Sequence, residues 1–212
     1  MAKYYPVYLN LQGRKCLVAG GGGVALRKVT ALLEHGAEVT VVSPRLCAGL
    51  RGLAEEGLIK TIHRPYRTGD MKGASVAVVA TSNRRINRSA AEEAVKLKVP
   101  VNVVDDPLLS DFIVPSVLRR GDLSIAVSTS AKSPALARKI RARLEDEFGE
   151  EYASLVTVIE KARSYIKKQG LKVGSNDWQK ALDIDSMIAL IREDRSQEAQ
   201  EVLIRKLTKY AK

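Results

Sequence analysis

The sequence predicts an α/β protein with a doubly wound parallel sheet, followed by a small strand-and-helix region and a helical C-terminal part. Two observations carry this prediction. In the first half of the 212 residues, short apolar strands alternate with helical segments, as in parallel sheets covered on both faces. From about residue 150, apolar residues recur every three or four positions, which is typical of amphipathic helices.

The first half supplies the elements of the sheet in order. Strands are predicted at 14–19, 37–43, 58–64, 74–81 and 100–105. Helices are predicted at 24–36, 44–57 and 84–98. Gly36 closes the first helix, and Pro44 suits the first turn of the second. Each strand is therefore followed by a crossover or a loop, as a parallel sheet requires.

The pattern changes after residue 110. Two partly apolar strands within 113–128 are joined by a tight turn at Gly121-Asp122, and a helix follows with Ser133 as N-cap and Pro134 as its first residue. Three further helices are predicted at 151–169, 176–193 and 196–210. We therefore predict three parts: a nucleotide-binding domain over 1–112, a middle region over 113–149 and a helical domain over 150–212.

Composition restricts the function classes. The net charge of +11 favours an anionic partner. Nucleic acid is not expected, because aromatic residues are only 5% and no basic block forms a long arm. The N-terminus lacks the apolar run of a secretory signal, and no segment is long enough to span a membrane. We expect a cytoplasmic protein with no membrane partner and with buried thiols at Cys16 and Cys47.

The segment GGGGVALRK follows a predicted strand and begins a helix. Gly20, Gly22 and Ala25 fit the pattern G-x-G-x-x-A, in which the small residues permit the turn, the approach of a pyrophosphate and the packing of helix on strand. Gly23 and Val24 begin the helix, whose N-terminal amides favour phosphate. These residues predict a dinucleotide site, and the alternative is a glycine-rich turn without a ligand.

The adenosine side of this site departs from the usual pattern. The second strand ends in Ser43-Pro44-Arg45, where an acidic residue would normally hold the ribose. Ser43 could bond a ribose hydroxyl, and Arg45 could accept a 2′-phosphate, so the sequence favours NAD or NADP without deciding between them. Thr81 and Ser82 end the fourth strand and are expected to contact the cofactor.

Several stretches together resemble the precorrin-2 dehydrogenase family, which includes the N-terminal half of siroheme synthases. The resemblance spans residues 4 to about 143 and rests on motifs that occur in order: G-G-G-x-V-A-x-R-K, N-V-V-D, F-I-x-P-S and S-P-x-L-A-R. It implies a Rossmann-like domain, a middle dimerisation region, a small helical domain and a homodimer. The two strands of 113–128, which cannot bury both faces alone, also favour a dimer.

The resemblance implies NAD⁺-dependent oxidation of precorrin-2 to sirohydrochlorin, with iron or cobalt insertion in some members. The functional aspartate of the family closes N-V-V-D and corresponds to Asp105 here, and no role is assigned to Asp106. A length of 212 residues leaves no room for the methyltransferase domain of siroheme synthases, so we expect another protein to supply precorrin-2.

The chemistry of the residues agrees with this family. Asp105 ends the fifth strand and should lie at the same sheet edge as the glycine loop, where a carboxylate could accept a proton. Precorrin-2 carries several carboxylates, which suits a basic protein. Ser128, Thr129 and Ser130 precede a helix N-terminus and could hold those carboxylates or simply cap the helix.

Some possibilities stay open. Arg27 and Lys28 lie either near cofactor phosphates or on a solvated face, and neither His35 nor His63 is expected to bind a metal. Two other function classes compete with the enzyme: a non-catalytic NAD(P)-sensing regulatory module, which would bind NADH without oxidising a tetrapyrrole, and a nucleic-acid-binding protein, whose binding would depend steeply on salt.

Overall fold

The computed structural model of the chain describes residues 4–211. The chain forms two compact units, the first ending at Val114 and the second beginning at Pro115. The first unit contains the predicted sheet, and the second contains the strand pair and the helices that follow it. The predicted three-part division stays a prediction.

The first unit is built on a five-stranded parallel sheet. Its strands are β1 Lys15–Ala19, β2 Glu38–Val42, β3 Ile59–Ile62, β4 Val76–Val79 and β5 Val101–Val103. Its helices are α1 Gly23–Glu34, α2 Ala48–Glu55 and α3 Arg84–Leu97. The strand order is β3-β2-β1-β4-β5 and all pairs are parallel, so the predicted doubly wound α/β fold is confirmed.

Apolar clusters cover both faces of this sheet. On one face, Ala25 and Val29 of α1 and Leu50 of α2 are fully buried against the strands. On the other face, the helix α3 packs together with the segment that connects β3 to β4. Because the chain winds outward first from one side of β1 and then from the other, the carboxyl ends of β1 and β4 define the crevice where such sheets bind ligands.

The connection between β3 and β4 is a loop, residues 63–75, held by polar contacts rather than by a helix. Tyr66 is buried and donates a hydrogen bond to the buried carboxylate of Glu93. Glu93 also accepts from the amide of Gly69 at 2.8 Å. Arg64 donates to both carboxylate oxygens of Asp70, at 2.7 and 2.6 Å. These bonds let an irregular segment cover the sheet.

The second unit begins with an antiparallel strand pair and continues as helices. The strands are β6 Ser116–Arg120 and β7 Leu123–Val127. The helices are α4 Pro134–Glu147, α5 Glu151–Lys168, α6 Ser175–Ala181, α7 Ile184–Arg192 and α8 Ser196–Tyr210. An apolar core that includes Leu155, Leu203 and Leu207 joins α5 to the later helices. Ser133 caps α4 as predicted, its hydroxyl accepting from the amide of Leu136.

Two predicted helices have different bounds. The second helix does not start at Pro44 but at Ala48, because residues 44–47 form a turn whose Cys47 amide donates to the carbonyl of Gly21 at 2.8 Å. The helix predicted over 176–193 is two helices, because the Asp183 side chain accepts from the Ser186 amide and starts a new helix.

No helix between residues 4 and 211 is long and apolar enough to cross a membrane. Within the same range, no group of three or more His, Cys, Asp or Glu side chains is arranged to hold a metal ion.

Candidate functional site

The first half of the glycine loop is packed too tightly for any side chain. Gly20 has a φ of +131°, and a Cβ there would lie 2.3 Å from the carbonyl oxygen of Ala80. A Cβ on Gly21 would lie 1.9 Å from the carbonyl oxygen of Arg45 and 2.5 Å from the hydroxyl of Ser43. These two glycines are therefore required by the packing of the loop against its own chain.

The second half of the loop is open. A Cβ on Gly22 or Gly23 would meet nothing within 4 Å, so the protein itself does not require glycine at either position. Gly22 is the N-cap of α1 and offers no side-chain hydrogen bond to the first turn, while Val24 is exposed and Ala25 is fully buried. The open backbone and the uncapped amides of the helix fit the pyrophosphate of a dinucleotide.

The turn after β2 lies directly against the glycine loop. Ser43 is buried, and its hydroxyl donates to the carbonyl of Arg45 at 2.7 Å. That hydroxyl proton is therefore engaged within the turn, and a ribose could only donate to Ser43. Pro44 and Arg45 are exposed beside the loop, where the guanidinium of Arg45 is free to meet a phosphate.

The residues after β4 form a local hydrogen-bond network. The Thr81 hydroxyl donates to the side-chain oxygen of Asn87, and Asn87 donates back to the Thr81 carbonyl at 3.1 Å. Asn83 caps α3 by accepting from the amides of Arg85 and Ile86. Ser82 is exposed. Ser82 can therefore offer its hydroxyl to a ligand, whereas the Thr81 hydroxyl is occupied by Asn87.

The two aspartates after β5 have different surroundings. The Asp106 carboxylate accepts from the amides of Leu108 and Leu109, at 3.2 and 3.3 Å, and caps the short 3₁₀ helix Pro107–Leu109. Asp106 is thus a structural residue. The signal was in the sequence, because an aspartate followed by proline is a common start of a helical turn.

Asp105 has no such structural role. It is exposed, and its carboxylate accepts no hydrogen bond from any residue between 4 and 211. Its φ is +60°, a left-handed conformation that is uncommon outside glycine and is often associated with functional sites. Val104, which precedes it, packs in the same cluster as Ala25 and Val29 of α1. The strand end that carries Asp105 and the helix of the glycine loop therefore share one face of the sheet.

The sequence leaves Lys28 either near the cofactor phosphates or on a solvated face. It is half-buried on α1, and burial together with the neighbouring Arg27 lowers the pKa of its ammonium group, whereas the charge of Asp105 raises it. Lys28 and Asp105 are thus close enough to interact. The signal available in the sequence is that Lys28 lies beside Val29 and three residues after Ala25, at the border of the apolar face.

Ser128, Thr129 and Ser130 lie in the second unit, between β7 and α4. The Ser128 hydroxyl accepts from the amide of Ser130 at 3.1 Å, and the Thr129 hydroxyl accepts from the amide of Ser133 at 2.9 Å. Ser130 and Ala131 both have positive φ, 53° and 64°. The loop is exposed at both serines, so these hydroxyls can still donate to an anion.

Two family models match the chain. Residues 7–116 match a family of NAD(P)-binding domains, and residues 120–147 match the central region of sirohaem biosynthesis proteins. The first match covers the parallel sheet with the glycine loop and Asp105. The second covers β7 and α4 with the loop between them.

Curated relatives named siroheme synthase match most of the chain. The chain is 36% identical to the siroheme synthase of Thioalkalivibrio sulfidiphilus over 202 residues, which are 93% of this chain and 41% of that protein. It is 36% identical to the siroheme synthase of Nitrosomonas eutropha over 207 residues, 96% of this chain and 43% of that protein. The chain therefore spans less than half the length of these curated relatives. A solved structure titled "SirC, precorrin-2 dehydrogenase" matches 98% of this chain and 100% of its own, with 26% identity and a TM-score of 0.70.

Proposed function

The chain belongs to the precorrin-2 dehydrogenase family, which includes the N-terminal region of siroheme synthases, and on that premise we propose that it oxidises precorrin-2 to sirohydrochlorin with NAD⁺. The observation that carries the proposal lies in the first unit. An open glycine loop and an aspartate without hydrogen bonds stand at the carboxyl ends of one parallel sheet. A nucleotide cradle and a free proton acceptor are the two parts that hydride removal from a tetrapyrrole requires.

The proposed mechanism divides the work between the cofactor and Asp105. When bound, NAD⁺ supplies the hydride acceptor. Oxidation of precorrin-2 removes one hydride and one proton, and Asp105 accepts the proton. Because its carboxylate is exposed and accepts no hydrogen bond from the described chain, Asp105 can take the proton without breaking a structural contact and can then release it to water. Asp106 has no part in the chemistry.

The proposed cofactor contacts follow the two halves of the loop. Gly22 and Gly23 admit the pyrophosphate, and the amides that begin α1, with that of Val24 among them, donate to it. Gly20 shapes the turn, the backbone of Ser43-Pro44 lies along the ribose, and Thr81 and Ser82 border the nicotinamide side. Arg45 is exposed beside the loop and can accept a 2′-phosphate, so the assay below is repeated with NADP⁺ in place of NAD⁺.

The substrate contacts are a second part of the proposal. Precorrin-2 is a polycarboxylate, and residues 113–143 carry seven Lys or Arg against one acidic residue, Asp122. We assign Ser128, Thr129 and Ser130 to the binding of substrate carboxylates, because their exposed loop leads into the N-terminus of α4.

A homodimer is also proposed, with the β6–β7 pair as its interface. Five-residue strands in a two-stranded sheet are marginal alone, and both outer edges of this sheet lack a strand partner within the described chain. Leu136 and Ile140 of α4 are 50% and 37% exposed and would add apolar surface to the contact. Light scattering at micromolar concentration should give twice the 23.2 kDa chain mass, and a monomer would contradict the dimer.

We further propose that the reaction takes place in the cytoplasm. Cys16 and Cys47 are free thiols, which suits a reducing compartment, and no nucleic acid or membrane partner is part of the proposal.

The test is an anaerobic assay of the purified protein with precorrin-2 and NAD⁺ and without metal, followed by the absorbance of NADH and of sirohydrochlorin. We expect one NADH for each sirohydrochlorin. Binding of NADH without turnover would support the regulatory module instead. Addition of Co²⁺ after the oxidation is complete then tests metal insertion, which the same proton acceptor could assist by taking protons from the pyrrole nitrogens.

A further inference from the structure

Lys28 is a half-buried cation that has no hydrogen-bond or ion-pair partner in the described chain. It lies in the second turn of α1, and no residue between 4 and 211 forms a hydrogen bond or an ion pair with it. Elsewhere in the first unit, the half-buried Arg64 forms a two-point ion pair with Asp70. Lysine side chains normally keep their ammonium group in water, and a partly buried one without an anion is unfavourable.

The surroundings of Lys28 disfavour the charged form of its side chain. Burial lowers the pKa of the ammonium group, and so does the nearby charge of Arg27. The charge of Asp105 acts in the opposite direction but is the weakest of the three influences. An anion placed beside Lys28 would offset both burial and the repulsion from Arg27.

The fold places Lys28 toward Asp105. Val29, the next residue, packs in the same apolar cluster as Val104, the residue before Asp105. Side chains on a helix lean toward its N-terminus, so the Lys28 ammonium is carried toward the carboxyl edge of the sheet. Lys28 and Asp105 interact electrostatically but form no direct ion pair. A cation and a carboxylate therefore lie at the same edge of the sheet without a direct ion pair.

We propose that Lys28 binds an oxyanion of the ligand that occupies the crevice beside Asp105. This inference rests on the proposed function, and it identifies a recognition residue that the reaction itself does not require. The oxyanion is either a carboxylate of the tetrapyrrole or a phosphate oxygen of the cofactor. The substrate carboxylate fits the position better, because the adenosine half of a bound dinucleotide lies toward β2 and Asp105 lies on the opposite side of β1.

The experiment compares Lys28→Met with Lys96→Met, a matched loss of charge at an exposed residue of α3. A hydrogen bond to a charged group contributes about 1.5–3 kcal/mol, which corresponds to about 10- to 100-fold in binding. We therefore expect Lys28→Met to raise the KM for precorrin-2 by about 10-fold or more, with kcat within about 2-fold of wild type. Lys28→Arg should restore most of the affinity, and Lys96→Met should change neither constant.

Two binding titrations distinguish the sources of the oxyanion without relying on turnover. The first follows NADH fluorescence, and the second follows the fluorescence of uroporphyrin, a stable porphyrin whose side chains are all carboxylates. Weaker uroporphyrin binding with unchanged NADH binding identifies the substrate carboxylate, and the reverse identifies a cofactor phosphate. Unchanged affinity for both ligands would overturn the proposal, even if kcat fell.

The same titrations separate this proposal from the proposed function. If the wild-type protein binds NADH and uroporphyrin but does not oxidise precorrin-2, the dehydrogenase assignment fails while the role of Lys28 is still measured. The melting temperature of Lys28→Met serves as the folding check, and we expect it to equal or exceed that of wild type because a partly buried charge has been removed.

Discussion

The loop between β3 and β4 and the carboxyl edge of the sheet both carry aspartates, but the two regions treat them in opposite ways. In the loop, Asp70 accepts hydrogen bonds from the Arg64 guanidinium and from the Arg67 amide. At the carboxyl edge, Asp105 accepts none from any residue of the described chain. The difference teaches that a charge with a complete set of partners serves the fold, whereas a charge left without partners is available to a ligand.

The largest expected effect separates Asp105 from its neighbour Asp106. Asp105→Asn keeps the size of the side chain and tolerates the left-handed backbone, but it removes the proton acceptor. General base catalysis contributes about 100- to 10,000-fold, so turnover should fall by that factor. The assay is NADH formation at saturating precorrin-2 and NAD⁺.

Asp106→Asn is the control for this prediction, because its amide oxygen can still cap the 3₁₀ helix. We expect its turnover to stay within about 3-fold of wild type, since the residue makes only capping contacts. Equal turnover by Asp105→Asn and wild type would remove the functional distinction between the two aspartates and leave both as parts of a charged turn.

The next effect concerns the glycine loop at the same edge. Gly21→Ala should lower the free energy of unfolding by about 3 kcal/mol, because the added Cβ would lie 1.9 Å from the Arg45 carbonyl oxygen. Gly22→Ala should change stability by less than about 0.5 kcal/mol. It should instead weaken NADH binding by about 10-fold, because the methyl group occupies the path of the phosphate.

Urea unfolding and NADH fluorescence titration measure these two variants. The two halves of the loop have separate roles if Gly21→Ala lowers stability and Gly22→Ala lowers only the affinity for NADH. A Gly22→Ala variant that binds NADH as tightly as wild type would show that no phosphate approaches the open half of the loop.

Tyr66→Phe tests the loop between β3 and β4, where the charged side chains of Arg64 and Asp70 have hydrogen-bond partners. It deletes the donor to the buried carboxylate of Glu93, and an unsatisfied buried group costs about 1–3 kcal/mol. We expect this loss in the free energy of unfolding with turnover unchanged. The matched control is Tyr165→Phe, because Tyr165 is an exposed tyrosine of the second unit. A large loss of turnover in folded Tyr66→Phe would mean that the loop also serves the reaction.

The smallest effect is the pH dependence that Asp70 contributes. Hydrogen bonds from Arg64 hold the pKa of the Asp70 carboxyl below its ordinary value of 3.8. The stabilisation is therefore complete above that value and is lost as pH falls through the lowered pKa. The difference in urea midpoint between wild type and Asp70→Asn should be present at pH 7 and shrink below about pH 4. A difference that persists in acid would mean that the ion pair is not its source.

Much of the fold could be predicted from local patterns. Each strand of the sheet is a largely apolar run, and the glycines after β1 mark a sharp strand-to-helix turn. The strand pair was predicted from Gly121, and the start of α4 from Ser133 and Pro134. These features are encoded by a few adjacent residues, which is why sequence patterns are sufficient for them.

Features that depend on distant residues could not be predicted. Even a contact between near neighbours was undecided: the sequence allowed Ser43 to bond a ribose hydroxyl, and only the conformation of the turn shows that its proton is donated to the Arg45 carbonyl. From the sequence of α1 alone, Lys28 could be a solvated residue. Only the packing of Val104 against α1 shows that Lys28 lies near Asp105. The Tyr66–Glu93 hydrogen bond joins residues 27 positions apart, and no local sequence pattern predicts that they pair.

The divided glycine loop has a consequence for how this protein would change under relaxed selection. A side chain on Gly20 or Gly21 would collide with the chain's own backbone, so any descendant that still folds would keep these two glycines. Gly22 and Gly23 meet no such barrier and would drift as soon as the cofactor ceased to matter. A library of random variants could be sorted once for folding and once for growth that depends on the reaction. Gly20 and Gly21 should then be retained in both pools, and Gly22 and Gly23 only in the pool sorted for growth.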